Sequence, residues 1–253
     1  MNITLSRPQL FLRLLFAITL ASIPALGQRL HPRLKSAKPD DAKQVISRIV
    51  VLPAQVSLSK DGMKGGEPLE KEAAAATPII EKAMAKALTA KNLSVLESPF
   101  TPETLQNDEK LKYALADLQR NYHDLLVKIA KNQKDIEKGR FSLGDQVLLL
   151  NQDDNIDAFV FIDAAGQRKS GGKKALGIVM LNPFMVMSFY FINVGIVDAR
   201  TGEVLAYGQV LTPYDFGKED DKKLVDLLTK RFKKLPTGKA AEKKPAETAA
   251  EKK

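Results

Sequence analysis

From Met185 to Val197 the chain runs thirteen residues without a charge, and apolar side chains fall on both sides of an extended backbone. Met185, Met187, Phe189 and Phe191 share one face; Val186, Tyr190, Ile192 and Val194 share the other. Successive side chains of a strand point to opposite faces, so this strand has no side to offer to water. It reads as a central strand in a sheet covered by helices.

The covering helices are legible from their periods. Leu111, Leu115, Leu118, Tyr122, Leu125 and Ile129 recur at spacings of three and four, an amphipathic helix running from Pro102, or shortly after, to about Lys134. The near-heptad register of this 111–129 seam suits a sheet, and it also offers a surface for self-association through a partner helix. Thr77 followed by Pro78 predicts the start of another helix, with Ile80, Met84 and Leu88 on one face. Asp220 or Asp221 caps a last helix carrying Leu224, Leu228 and Phe232, stopped by Pro236. Leu143 to Asn151 reads as a short helix.

Strands fill the gaps. Val45 to Leu52 is β-branched and closed by Pro53, and Lys60 to Gly66 reads as a loop. Leu93 to Leu96 and Ala158 to Ile162 are further strands. Asp198 to Glu203 is a turn in which Gly202 supplies a positive φ, and Val204 to Val210 pairs back as a hairpin. The expected fold is α/β (α+β): a mixed sheet of about five strands with helices packed on it, one of them long and amphipathic.

Outside this region the composition changes. Arg7 and Arg13, an apolar run from Leu14 to Ala25 and the small-residue ending Ala25-Leu26-Gly27 read as a signal peptide cut before Gln28. Residues 28–44 read as an N-terminal arm, 45–236 as one α/β domain, and 237–253 as a disordered Lys/Ala/Glu-rich tail. The expected localisation is export, to the periplasm or outside a bacterial cell.

Composition excludes several chemistries. Without cysteine there is no disulfide, thiolate metal site, cysteine nucleophile or lipidated cysteine. His31 and His123, the two histidines of the chain, are too few for a histidine zinc site. The net charge is +9, of which the signal and the tail each carry two; four of the remaining five sit at Arg168, Lys169, Lys173 and Lys174. Basic character is therefore concentrated in one loop, with no aromatic interleaving of the kind that stacks on bases, so no nucleic-acid partner is expected.

That loop is the main candidate site. Gly166 to Lys174 approaches a phosphate loop, but its second Gly-Lys comes one residue late and Lys174 stands where the magnesium-binding hydroxyl belongs. It leads instead into Ala175–Val197, 23 residues without charge. Arg168, Lys169, Lys173 and Lys174, followed by Leu176, Ile178, Met180 and Phe184, are the expected contact surface for an envelope protein or an anionic membrane. The same stretch also admits a helix spanning a bilayer at 175–197. Asp153, Asn155 and Asp157 have the opening spacing of a calcium loop, but Ala158 and Ala164 replace its turn glycine and closing glutamate. No cofactor and no metal is expected.

Ile49-Val-Val-Leu-Pro53, Ile156-Asp-Ala-Phe-Val160 and Val197-Asp-Ala-Arg-Thr-Gly-Glu-Val-Leu205 together resemble exported bacterial α/β domains. These are the TolB amino-terminal, curli-secretion CsgG-like and related lipoprotein families. Arg140-Phe-Ser-Leu-Gly144 and the glycine-lysine loop are similar to envelope proteins of this kind. The resemblance covers about Ile46 to Pro236 and implies an assembly or scaffolding module of the envelope, not an enzyme. Gln28 stands where a lipoprotein cysteine would be, and Ala206-Tyr207 replaces the usual tryptophan region. The expected function is thus a non-enzymatic envelope module acting through protein or membrane-surface contacts. The alternative is a small carboxylate-based hydrolase or ligand-binding enzyme, in which Asp157, Asp163 and Asp198 converge in a pocket.

Overall fold

Pro53 divides what would otherwise be one long strand. In the computed structural model, which describes residues 28–35, 46–62, 65–151, 155–172, 174, 180, 188–212, 216 and 221–235, Arg48–Val51 (β2) and Gln55–Gly62 (β3) lie end to end along one side of Ala158–Lys169 (β6). β2 pairs with Ala158–Val160, and β3 pairs with Asp163–Lys169, both in parallel. Proline has no N–H for the ladder, so pairing lapses between them. Helices tie down the break from both faces. Gln119 donates through Nε2 to the Pro53 carbonyl (2.8 Å), and the Ala54 N–H donates to Oε1 of Glu81 (2.8 Å).

The sheet has eight strands, not about five. Its main path runs β1 (Arg29–Leu30), β8 (Val204–Thr212), β7 (Phe189–Asp198), β6, β2, β5 (Ser94–Leu96), and β4 (Gly65–Pro68) folds back on β3. It is mixed: β5, β2, β3 and β6 are parallel, while β6, β7, β8 and β1 alternate in direction. The added strands come from segments read as irregular. Lys60–Gly66 contributes to the β3–β4 hairpin, and the predicted arm supplies β1 and the short helix α1 (Pro32–Lys35), with Leu30 and Leu34 buried in the core. Gly202 does take φ +70° in the β7–β8 turn.

Helices cover both faces. On one side lie α2 (Glu70–Thr89) and α5 (Asp221–Arg231), burying Ile80, Met84, Leu88, Leu224 and Leu228 against Ile49, Val160, Ile192 and Val194. α2 begins seven residues before the expected start. Lys71–Ala76 is rich in helix formers, so Pro78 becomes an interior residue whose cost the surrounding turns absorb.

On the other side the predicted long helix is two, α3 (Pro102–Asn107) and α4 (Glu109–Lys131). Asp108 breaks them with an extended backbone, and its Oδ1 accepts the Leu111 N–H at 2.9 Å as the cap of α4. The whole 111–129 seam is buried on the chain's own sheet against Phe159, Phe161 and Val197. A partner helix therefore has no access to it, and the self-association expected there is corrected. Two 3-10 turns, Gln133–Lys138 and Asp145–Leu150, replace the end of the long helix and the short one.

α4 covers only half of its face. Toward the end of the sheet where β3, β6 and β8 finish, Phe191 is 38% exposed, while Tyr190 on the opposite face is buried. The two-faced strand is thus covered on both sides only over its second half. A spanning helix at 175–197 is ruled out, because Phe189–Asp198 is β7, hydrogen-bonded between β6 and β8. Residues 1–27 and 237–253, read as signal and tail, lie outside the described residues.

Candidate functional site

β6 and β7 are adjacent and antiparallel, and the chain leaves and re-enters the sheet at the same place. The last β6 residue, Lys169, donates its N–H to Oγ of Ser188, just before β7 (3.2 Å). The connection between them, 170–187, is 18 residues long, with two lysines, no acid and a run of apolar residues. Hairpin loops usually have two to five residues, and much longer ones without an internal reason to exist are commonly functional.

The candidate contact residues divide at this end of the sheet. Arg168 and Lys169 belong to β6, not to a loop, and consecutive strand residues point to opposite faces. Arg168 turns toward the first turn of α2, where Nη1 lies 3.9 Å from Oε1 of Glu72. Lys169 turns the other way. Its ammonium donates to Oδ2 of Asp61 at 2.5 Å, both side chains being only 12% exposed, and to Oε1 of Gln167 at 3.2 Å. Arg168 and Lys169 thus point to opposite faces of β6, each beside a carboxylate of another element. Lys174 and Met180 are exposed, the latter 60%. Lys173, Leu176, Ile178 and Phe184 lie outside the described residues.

Asp61 and Glu72 are the partners that sequence reasoning missed. Each is more than ninety residues from its cation: the β3–β6 register brings Asp61 to Lys169, and the packing of α2 on the sheet brings Glu72 to Arg168.

The carboxylates of the enzymatic alternative do not converge. Asp157 accepts at Oδ2 from the Ser47 N–H (3.1 Å), the Ser47 hydroxyl (2.7 Å) and the Arg48 N–H (2.9 Å), with the Arg48 guanidinium at Oδ1 (3.2 Å). Burial alone would raise its pKa, but these donors outweigh burial and hold it below the usual value. Asp198 is buried and shapes the β7–β8 turn, accepting from the N–H groups of Arg200 and Thr201 and pairing with Arg33 (3.1 Å). Asp163 is five residues further along β6 than Ala158, which pairs with Asp198; that is roughly 17 Å away at the strand rise.

Asp163 has a different companion. Oδ2 lies 2.8 Å from Nδ1 of His123, which projects from the exposed flank of α4. Beside it the Tyr207 hydroxyl donates to Oδ1 of Asn193 (3.0 Å), and burial pushes that phenol up to about 12. The buried Tyr122 hydroxyl, also pushed up by burial, completes the cluster. Two phenols kept neutral and a carboxylate already bonded to an imidazole make a polar cluster under α4. Among the described residues no three His, Asp or Glu side chains are grouped to hold a metal ion.

No protein-family model and no curated protein matches the chain. Among solved structures it is similar to the PelC dodecamer from Paraburkholderia phytofirmans, at 12% identity and a TM-score of 0.36 over 84% of this chain and 96% of that one. A point variant of that dodecamer gives 11%, 0.36, 83% and 96%. Superposition at this level transfers neither fold nor role. Among the described residues no helix is long and apolar enough to cross a membrane.

Proposed function

We propose that the protein is an exported, non-enzymatic envelope module that works by contact, presenting the β6–β7 connection to an anionic membrane surface or to an envelope protein. The observation that carries this reading is the connection itself: an acid-free segment of 18 residues, basic and then apolar, anchored at both ends by the Lys169–Ser188 hydrogen bond. Lys173 and Lys174 would attract anionic groups, and Leu176, Ile178, Met180 and Phe184 would then be buried. At about 25 cal/mol per Å2, two or three large side chains supply several kcal/mol before ordering costs. The short strand-and-turn texts that resemble envelope α/β domains fall on β2, β6 and the β7–β8 turn, at the centre of the sheet.

The test uses sedimentation with anionic liposomes and with envelope fractions. Replacing Lys173 and Lys174 by Gln is expected to weaken binding at low salt, and replacing Leu176 and Phe184 by Ser to abolish it at any salt. Unchanged binding in both variants would overturn the reading. Recovery of the wild-type chain in the cytoplasm, with Met1 still present, would overturn export.

A further inference from the structure

On the face of the sheet that carries α2, α2 and β3 flank an open cleft of about 340 Å3 lined by Val56, Leu58, Pro68, Ala73, Ala74 and Thr77. Its floor is a strand edge. β3 pairs with β6 from Gln55 to Asp61, but β4 covers its other edge only from Ser59 onward. Among the described residues, no strand lies along the outer edge of Gln55–Leu58.

The backbone groups at the two ends of this gap have partners. The Ala54 N–H donates to Glu81, and the Leu58 carbonyl accepts from the Leu69 N–H (2.9 Å). Main-chain groups of alternate strand residues face the same side, so Val56, midway between them, directs its N–H and C=O outward into the cleft. Such a pair is the element that an added strand recognises.

The helical wall is cut back to receive something. Ala73, Ala74 and Thr77 are all small, and the Thr77 hydroxyl donates to the Ala73 carbonyl (3.0 Å). Pro78 has no N–H, so the Ala74 carbonyl on this wall lacks its donor from the next turn. The wall therefore offers acceptors and apolar surface together. Glu70 stands exposed at one end of the cleft, and Glu81 lies one helical turn past the other end. The rim is acidic.

We propose that this cleft takes an extended segment of a partner polypeptide. The segment pairs with Val56 through one N–H and one C=O, seats a small apolar side chain between α2 and β3, and directs a lysine or arginine to Glu70. The inference is independent of the β6–β7 connection, which leaves the sheet elsewhere.

The probe is the pentapeptide acetyl-Lys-Ala-Val-Ala-Lys-amide, titrated into the 15N-labelled full chain. Expected are saturable amide shifts at Val56, Ala73 and Thr77, and exchange of the Val56 amide slowed about tenfold at saturation. The same peptide with Glu in place of Lys should bind roughly fivefold more weakly. Ala74→Phe, at an exposed helix position, should fill the cleft and abolish the shifts while thermal unfolding stays where it was; Ala74→Ser should keep them. Absence of saturable shifts, or shifts that persist in Ala74→Phe, would overturn the proposal. So would binding that appears only after residues 237–253 are deleted, which would make the chain's own tail the occupant.

Discussion

Tyr122 rests directly on the backbone of Gly195: a β-carbon at residue 195 would come within 2.6 Å of both its ring and its hydroxyl. The ring also lies 4.9 Å from that of Phe161, at a 30° tilt. α4 can therefore sit low on β7 only because residue 195 lacks a side chain. Gly195→Ala should lift the helix and cost about 1–3 kcal/mol in urea unfolding. Tyr122→Phe should behave oppositely. The hydroxyl is buried without a hydrogen-bond partner among the described residues, so its removal should leave stability within about 1 kcal/mol or raise it. If Gly195→Ala were neutral, the close approach would not limit the packing.

Lys169 and Lys174 should separate in a stability measurement. Lys169→Met removes a short-range cationic partner of the largely buried Asp61 and should destabilise the fold by about 1–3 kcal/mol. Lys174→Met, at an exposed position, should change stability by no more than about 0.5 kcal/mol. Liposome binding should respond the other way, with Lys174 mattering and Lys169 acting only through folding. Equal effects in both assays would return Lys169 to the contact surface.

These cases mark what can be read from the chain alone. The helices with strong periods, the two-faced strand and the Gly202 turn are local patterns, and they were legible. β3, β4 and β1 were not: the alternation in Gln55–Gly62 lasts only from Gln55 to Ser59, Gly65–Pro68 is four residues with two glycines and a proline, and Arg29–Leu30 is two residues long. All three are strands because a neighbour's edge is there to receive them. The site was half legible for the same reason. Composition marks residues 168–184 as basic and apolar, but only the register shows that Arg168 and Lys169 point to opposite faces, toward Glu72 and Asp61.

Glu81 makes stability depend on pH in a stated direction. Burial raises its pKa above the ordinary 4.5, and the hydrogen bond from Ala54 only partly offsets this. A raised carboxyl carries no penalty below its unfolded pKa; the penalty grows as pH rises through the folded pKa and is complete at neutral pH. Glu81→Gln, which can still accept from Ala54, should therefore stabilise the protein at pH 7. The gain should vanish below about pH 4. Denaturant midpoints of both proteins across this range decide it, and a gain that persisted in acid would assign the effect to packing instead.

Residues 28–35 should prove to be part of the folding unit and not an appendage. Leu30 and Leu34 are buried, the His31 N–H donates to the Leu205 carbonyl (2.8 Å), and Oε1 of Gln28 accepts the Lys234 N–H (2.8 Å). Arg33 bridges Asp198 and Glu203, while Arg29 and Lys35 both reach Glu137, whose pKa their hydrogen bonds lower. The exposed ion pairs add little, but burying two leucines is worth about 1.5–3 kcal/mol each. A chain beginning at Gln28 should therefore unfold at the same denaturant concentration as one carrying residues 1–27. A chain beginning at Ser36 should be less stable by about 3 kcal/mol, having lost β1 and exposed the edge of β8 at Ala206 and Tyr207. Equal stability of the two shorter chains would show that β1 adds nothing to the sheet.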